Sequence, residues 1–251
     1  YFLLRHFFLL IIVFWLGWYA SAQLSIVNVI NYLQALFQGK GFQQFLYEPL
    51  IFIIFLYTLL SLIILGRGVF CGWLCPFGAL QEILFKIAKK INLPEIKLSF
   101  FINERLWMIK YLTLFLLIVP AFLNLSWSYQ LLEIEPFKTA ITSHFQRSIP
   151  YTFYALIILV IGLFSERFFC RFICPLGAFL AFIGKIHLFN IIPRRIECGN
   201  PCHLCEKSCP VQAISEEGKI NMNECFQCLD CLVDYQDTKK CPPLVLKSKS
   251  I

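Results

Sequence analysis

Eight of the twelve cysteines in this 251-residue chain fall between Cys198 and Cys241. They come as Cys198, Cys202, Cys205 and Cys209-Pro210, then Cys225, Cys228 and Cys231, then Cys241-Pro242. Such a run is a ligand set. Two-residue gaps let a loop wrap round one corner of a compact inorganic core, and proline after the last cysteine of each run ends the loop. Paired Cys-x-x-Cys also suits tetrahedral zinc, and an even number of closely spaced cysteines suits a disulfide framework.

Two groups of three cysteines, each followed by a more distant Cys-Pro, match the bacterial ferredoxin pattern, in which the fourth cysteine of each run ligates the other cluster. On that crossed rule one [4Fe–4S] cluster takes Cys198, Cys202, Cys205 and Cys241, and a second takes Cys209, Cys225, Cys228 and Cys231. Two departures lengthen loops without removing a ligand, one between Cys198 and Cys202 and one between Cys231 and Cys241. Eight thiols in two interlocking sets exceed what one zinc needs, and a disulfide framework fits poorly with a reducing compartment. His203 reads as a polar neighbour that tunes a cluster.

The rest of the chain belongs in a membrane. Hydrophobic residues make up 59% and charged residues only 15%, against about a quarter charged in a soluble domain. The net charge of +7 sits beside apolar segments, which points to topology and not to a nucleic-acid partner. Spans are expected at Tyr1–Ala22, Phe45–Leu65, about Leu106–Leu123 and about Ile149–Phe164, each near the length of about twenty residues that a bilayer requires. Leu24–Phe37 reads as an interfacial or re-entrant helix. An apolar segment begins at once from Tyr1, so the sequence reads as cut from a longer chain.

Within this module a motif occurs twice. Cys71 and Cys170, Cys75 and Cys174, Pro76 and Pro175, and Gly78 and Gly177 pair at one constant offset. Each Cys-Pro reads as a helix start, where the dipole favours a thiolate. The expected organisation is a membrane module over 1–195, made of repeats 1–100 and 101–195, followed by a small domain over 196–251. The fold class is mainly α: a polytopic helical module of about four spans in two parallel repeats, plus a small α+β ferredoxin-like domain holding two clusters. Basic residues including Arg5, Arg67, Lys86, Lys110, Arg167 and Arg171 gather on one side, which places both termini and both Cys-x-x-x-Cys-Pro motifs at the cytoplasmic edge of an inner membrane. Cys71, Cys75, Cys170 and Cys174 are candidates for a third site at the repeat interface, an iron–sulfur centre or another thiophilic metal. Redox-active thiols, or plain small hydrophobes, are the competing readings. Glu48 and Glu135 lie near the outer face, as proton acceptors from a quinol or as helix caps.

Gly66-Arg67-Gly68-Val69-Phe70-Cys71-Gly72-Trp73-Leu74-Cys75-Pro76, Glu133-Ile134-Glu135-Pro136-Phe137-Lys138-Thr139-Ala140 and Glu197-Cys198-Gly199-Asn200-Pro201-Cys202 resemble the NosR family, the membrane flavo-iron–sulfur proteins of nitrous oxide respiration. The resemblance implies an electron-transfer protein that supports the periplasmic copper enzyme nitrous oxide reductase, its maturation or its expression. It implies a quinol or a soluble cytoplasmic electron donor, and FMN only if an upstream domain precedes Tyr1. No covalent chemistry on a substrate is assigned to any residue, so no catalytic residue is named. The alternatives are a quinol dehydrogenase subunit of the NapH type, serving periplasmic nitrate reductase, and a scaffold that handles copper through its thiols and senses redox state.

Overall fold

The computed structural model of the chain describes residues 1–37, 49–123 and 131–249. Helix α1, Phe2–Tyr19, is apolar on every side and changes from α to π winding at Ile12 without a break. Helices α2 (Ile26–Phe37), α3 (Pro49–Leu65), α4 (Pro76–Lys90), α5 (Phe100–Phe122) and α6 (Ile149–Phe164) follow. A short α7 (Phe168–Phe172) leads into α8 (Pro175–Ile183), and the tail contributes α9 (Leu204–Ser208), α10 (Asp230–Gln236) and α11 (Pro242–Lys249). Proline opens α3, α4 and α8, where its missing N–H costs nothing and its fixed φ is already helical.

Helices α1 and α5, with 18 and 23 residues, are long and apolar enough to cross a bilayer. Helices α3 and α6 are as apolar but have 17 and 16 residues. All four turn large apolar side chains outward, among them Leu3, Tyr57, Met108 and Phe153. A water-soluble surface does not carry apolar area on that scale. The few polar groups of α3 are satisfied inside the helix: Thr58 Oγ1 donates to the Ile54 carbonyl at 2.7 Å and Ser61 to that of Thr58 at 2.9 Å. In lipid such groups have no water to turn to.

Helices α4 and α8 are half-length elements inside the bundle, α4 against α1 and α6, α8 against α5 and α2. Both arise in the same way. After α3 the chain reverses at Gly66, whose φ of +85° needs the freedom glycine has. It then climbs back through a π turn, Phe70–Leu74, to an extended Cys75 that caps α4. After α6 it reverses at Arg167, climbs through α7, and reaches Cys174 as the cap of α8.

In the tail, the β component among the described residues amounts to two isolated bridges, Cys198 with Cys202 and Ile214 with Ile220. Backbone N–H groups that a ladder would use are taken up by turns and by sulfur, as at Ala213, which donates to Cys209 Sγ at 3.4 Å.

Candidate metal centres

Two cavities in the tail sort its cysteines into sets of four. One is lined by Cys198, Cys202, Cys205 and Cys241. The other is lined by Cys209, Cys225, Cys228 and Cys231, and Ile214 stands in the wall of both. A zinc ion with Zn–S bonds of about 2.3 Å needs its sulfurs within about 3.8 Å of one another. Among the described residues no three His, Cys, Asp or Glu side chains gather closely enough to hold a single ion. Four thiols spread round a cavity fit a polynuclear core instead, so the residues present suit [4Fe–4S] clusters.

The sulfurs are supplied with donors. Gln227 N–H donates to Cys225 Sγ at 3.3 Å, and Arg195 Nη1 donates to Cys241 Sγ at 3.1 Å while its guanidinium stacks on Tyr235. Burial pushes the Cys225 thiol up to about 11 and that of Cys231 up to about 12, so thiolates there require a cationic partner. His203 is engaged with Glu206 at 2.8 Å.

The two cavities differ in what they face, although each has two partly exposed cysteines, Cys198 and Cys202 in the first and Cys209 and Cys228 in the second. The loop carrying Cys225 and Cys228 is pressed against the helices that precede the tail. There the Trp73 indole donates to the Gln227 carbonyl at 3.0 Å, Gln227 Nε2 to the Leu65 carbonyl at 2.5 Å, and the Tyr1 hydroxyl to the Cys228 carbonyl. A side chain at Gly72 would collide with the Phe226 carbonyl, and one at Gly68 with Gln227.

Cys71, Cys75, Cys170 and Cys174 are all buried, and they are electrostatic neighbours across the repeats: Cys170 faces both Cys71 and Cys75, and Cys174 faces Cys71. Cys75 Sγ accepts the Gly78 N–H at 3.4 Å and Cys174 Sγ that of Gly177 at 3.2 Å. Two half-helix N-termini therefore converge on sulfur, the arrangement by which interrupted membrane helices hold anionic groups.

Contacts along α1 locate these thiols inside the bundle. The N-terminal end of α1 meets the tail, with Arg5 facing Asp230 at 3.6 Å. At Gly17, further along the same helix, a Cβ would lie 2.9 Å from Pro76 Cβ. Just beyond, Gln23 Nε2 donates to Cys75 Sγ at 3.5 Å and Gln23 Oε1 accepts the Phe77 N–H at 3.2 Å. Cys71 and Cys75, one π turn apart, thus lie between the tail loop at Gly72 and the Gln23 side chain that follows α1. Phe77, Phe137 and Phe169, with ring centroids 5.1–5.6 Å apart, pack the two motifs together.

Arg5, Arg67, Lys110, Arg167 and Arg171, which the sequence grouped on one side, are all buried, and each has a polar partner inside the protein. Glu82 holds Arg5 and Arg167 at 2.6 Å each, and Glu224 holds Lys110 and Arg67, the latter at 3.3 Å. The two arginines near the motifs cross over. Arg167 donates to the carbonyls of Cys71 and Gly72, the latter at 2.9 Å, and Arg67 donates to that of Gly177 at 3.0 Å. An arginine three or four residues before the first cysteine of each repeat is the signal that marks them in sequence.

At the far end Glu135 is buried, and burial pushes it up to about 7. Its carboxylate accepts from the Ser25 hydroxyl, from the Ile26 N–H at 3.2 Å and from the Leu176 N–H, so it caps both α2 and α8. Glu48 lies outside the described residues. A cavity of about 450 Å³ opens here beside Gln23, Ser25 and Glu135.

The NosR family model matches residues 196–251, and a model described as 4Fe-4S binding domain matches twice, over 47–94 and 151–196, where the two Cys-x-x-x-Cys-Pro motifs lie. A regulatory protein NosR of Stutzerimonas stutzeri is 48% identical over 246 residues, which is 98% of this chain and 34% of that protein. Protein NirI of Paracoccus denitrificans is 47% identical, over 94% of this chain and 34% of its own length. A regulatory protein NosR sequence from Pseudomonas aeruginosa is 58% identical over 80 residues, 80% of its length. The chain spans about a third of the length of the longer relatives. No solved structure matches.

Proposed function

The chain belongs to the NosR family, and from that premise we propose that it carries electrons between a donor on the tail side of a membrane and the opposite end of its helix bundle, in support of nitrous oxide reduction. One observation supports this reading above the others: the tail gathers its eight cysteines round two cavities, and the loop of the second packs on Gly72, between the interior thiols Cys71 and Cys75. The tail cysteines would hold two [4Fe–4S] clusters, which supply one-electron transfer when bound. The protein's own contributions are ligation, backbone and arginine donors to sulfur, and burial, all of which set potentials.

In this reading Cys198, Cys202, Cys205 and Cys241 form the entry side, because the loop of the other set is the one packed against Trp73, Leu65 and Tyr1. Cys209, Cys225, Cys228 and Cys231 form the inner side. Cys71, Cys75, Cys170 and Cys174 make a third redox site, iron–sulfur or another thiophilic metal, held by two helix N-termini and two guanidinium groups. Helices α1, α3, α5 and α6 cross the inner membrane, with the tail and the start of α1 on the cytoplasmic side. The donor is a soluble reductant or a quinol, and the acceptor is nitrous oxide reductase or its maturation machinery at the periplasmic face.

Serine replacement tests this against a copper-handling scaffold. Cys209→Ser and Cys241→Ser should each abolish electron delivery to a periplasmic acceptor in cells. A scaffold that uses only the interior thiols would tolerate both changes and fail on loss of Cys71 or Cys174.

A further inference from the structure

Phe226 lies between the ligand positions Cys225 and Cys228, is 1% exposed, and lines the inner cavity of the tail. Its ring is bracketed by the Arg67 guanidinium at 5.0 Å and that of Arg167 at 5.3 Å, one from each repeat. Each of those groups donates across to the other repeat's motif, Arg167 to Cys71 and Gly72, Arg67 to Gly177. Beneath the ring, the Phe226 carbonyl rests on Gly72, beside Cys71. The ring therefore stands beside arginines of both repeats, where a tail ligand loop packs on an interior thiol motif.

We propose that Phe226, clamped by Arg67 and Arg167, is the positioning residue that sets the gap between the inner tail cluster and the four-thiol site, and so the rate at which electrons pass between them. The proposal rests on the relay reading above. Electron tunnelling falls steeply with distance, and the Phe226 carbonyl packs on Gly72, next to Cys71. The clamp also explains glycine at 72, since any side chain there would lift the loop away. Cation–π attraction makes the aromatic face part of the device, so an aliphatic side chain of similar bulk fills the space without being held.

The full chain, loaded anaerobically and reconstituted into vesicles with ferricyanide trapped inside, is treated with dithionite from the tail side. Bleaching of the tail clusters reports entry, and consumption of ferricyanide reports passage. In wild type both proceed. Phe226→Leu and Gly72→Ala should bleach as wild type does while passage slows roughly tenfold or more, the scale seen when groups around a metal centre are removed; Phe226→Tyr should restore it. A merely structural anchor would not distinguish Leu from Tyr. Should one variant lose iron, the other carries the test. Passage at the wild-type rate in Phe226→Leu and Gly72→Ala, with clusters intact, would overturn the proposal. Bleaching without passage in wild type would overturn the relay itself, and the proposal with it.

Discussion

Cys75 and Cys174 occupy the same place in two helices: each is the N-cap whose sulfur accepts the N–H of the glycine three residues on, Gly78 at 3.4 Å and Gly177 at 3.2 Å. A hydroxyl serves that role as well. Cys75→Ser and Cys174→Ser should therefore keep the thermal stability of the apo-protein in detergent, followed by circular dichroism, whereas each alanine should cost about 1 kcal/mol. Equal losses for serine and alanine would mean that the cap contributes nothing.

Arg167 and Arg5 neutralise Glu82 where none of the three reaches solvent. Removing one partner of such a group leaves an uncompensated buried charge. Arg167→Ala should destabilise the fold by ~3–5 kcal/mol. Arg147→Ala, which breaks the half-exposed pair with Glu133, should cost at most about 1 kcal/mol. The same unfolding assay ranks them.

Glu135 and Glu166 are both raised from an ordinary value of 4.5 to about 7 by burial, and Glu166 further by the neighbouring Glu82 carboxylate. A raised carboxylate means that the folded state holds its proton more tightly than the unfolded one. The stability this provides is complete below about pH 4.5 and is lost as the pH rises through 7. Unfolding measured from pH 5 to pH 8 should thus show stability falling, and Glu135→Gln with Glu166→Gln should flatten the curve.

Each set of four tail cysteines has two partly exposed members, but the loop of Cys225 and Cys228 is packed against Trp73, Leu65 and Tyr1. Limited oxidation by ferricyanide from solution should destroy the outer centre first. Alkylation of the released thiols, mapped by mass spectrometry, should mark Cys198 and Cys202 ahead of Cys225 and Cys231.

Ligand spacing is a local property of sequence, so the iron–sulfur character of the chain was legible in its cysteines. Proline at the starts of α4 and α8 was legible for the same reason. What the sequence concealed was the pairing of the interior charges. Arg67 and Arg171 beside apolar segments read as topology signals. In the structure Arg67 bonds the Gly177 carbonyl and Arg171 bonds Asn103 at 2.6 Å. Their charge is thus answered inside the protein. Glu82 and Glu224 gave no signal, because their partners lie up to 157 positions away. Glu135 showed as a helix cap, but the helices it caps, α2 and α8, are distant in sequence.

The central claim is that this chain is an iron–sulfur electron carrier, and metal content tests it most directly. Iron and acid-labile sulfide should be counted per chain in anaerobically purified protein, with EPR spectra before and after dithionite. The account expects about eight irons or more, two cubanes of four plus any iron at the interior thiols, with interacting signals on reduction. Zinc without iron, in protein never exposed to air, would contradict it.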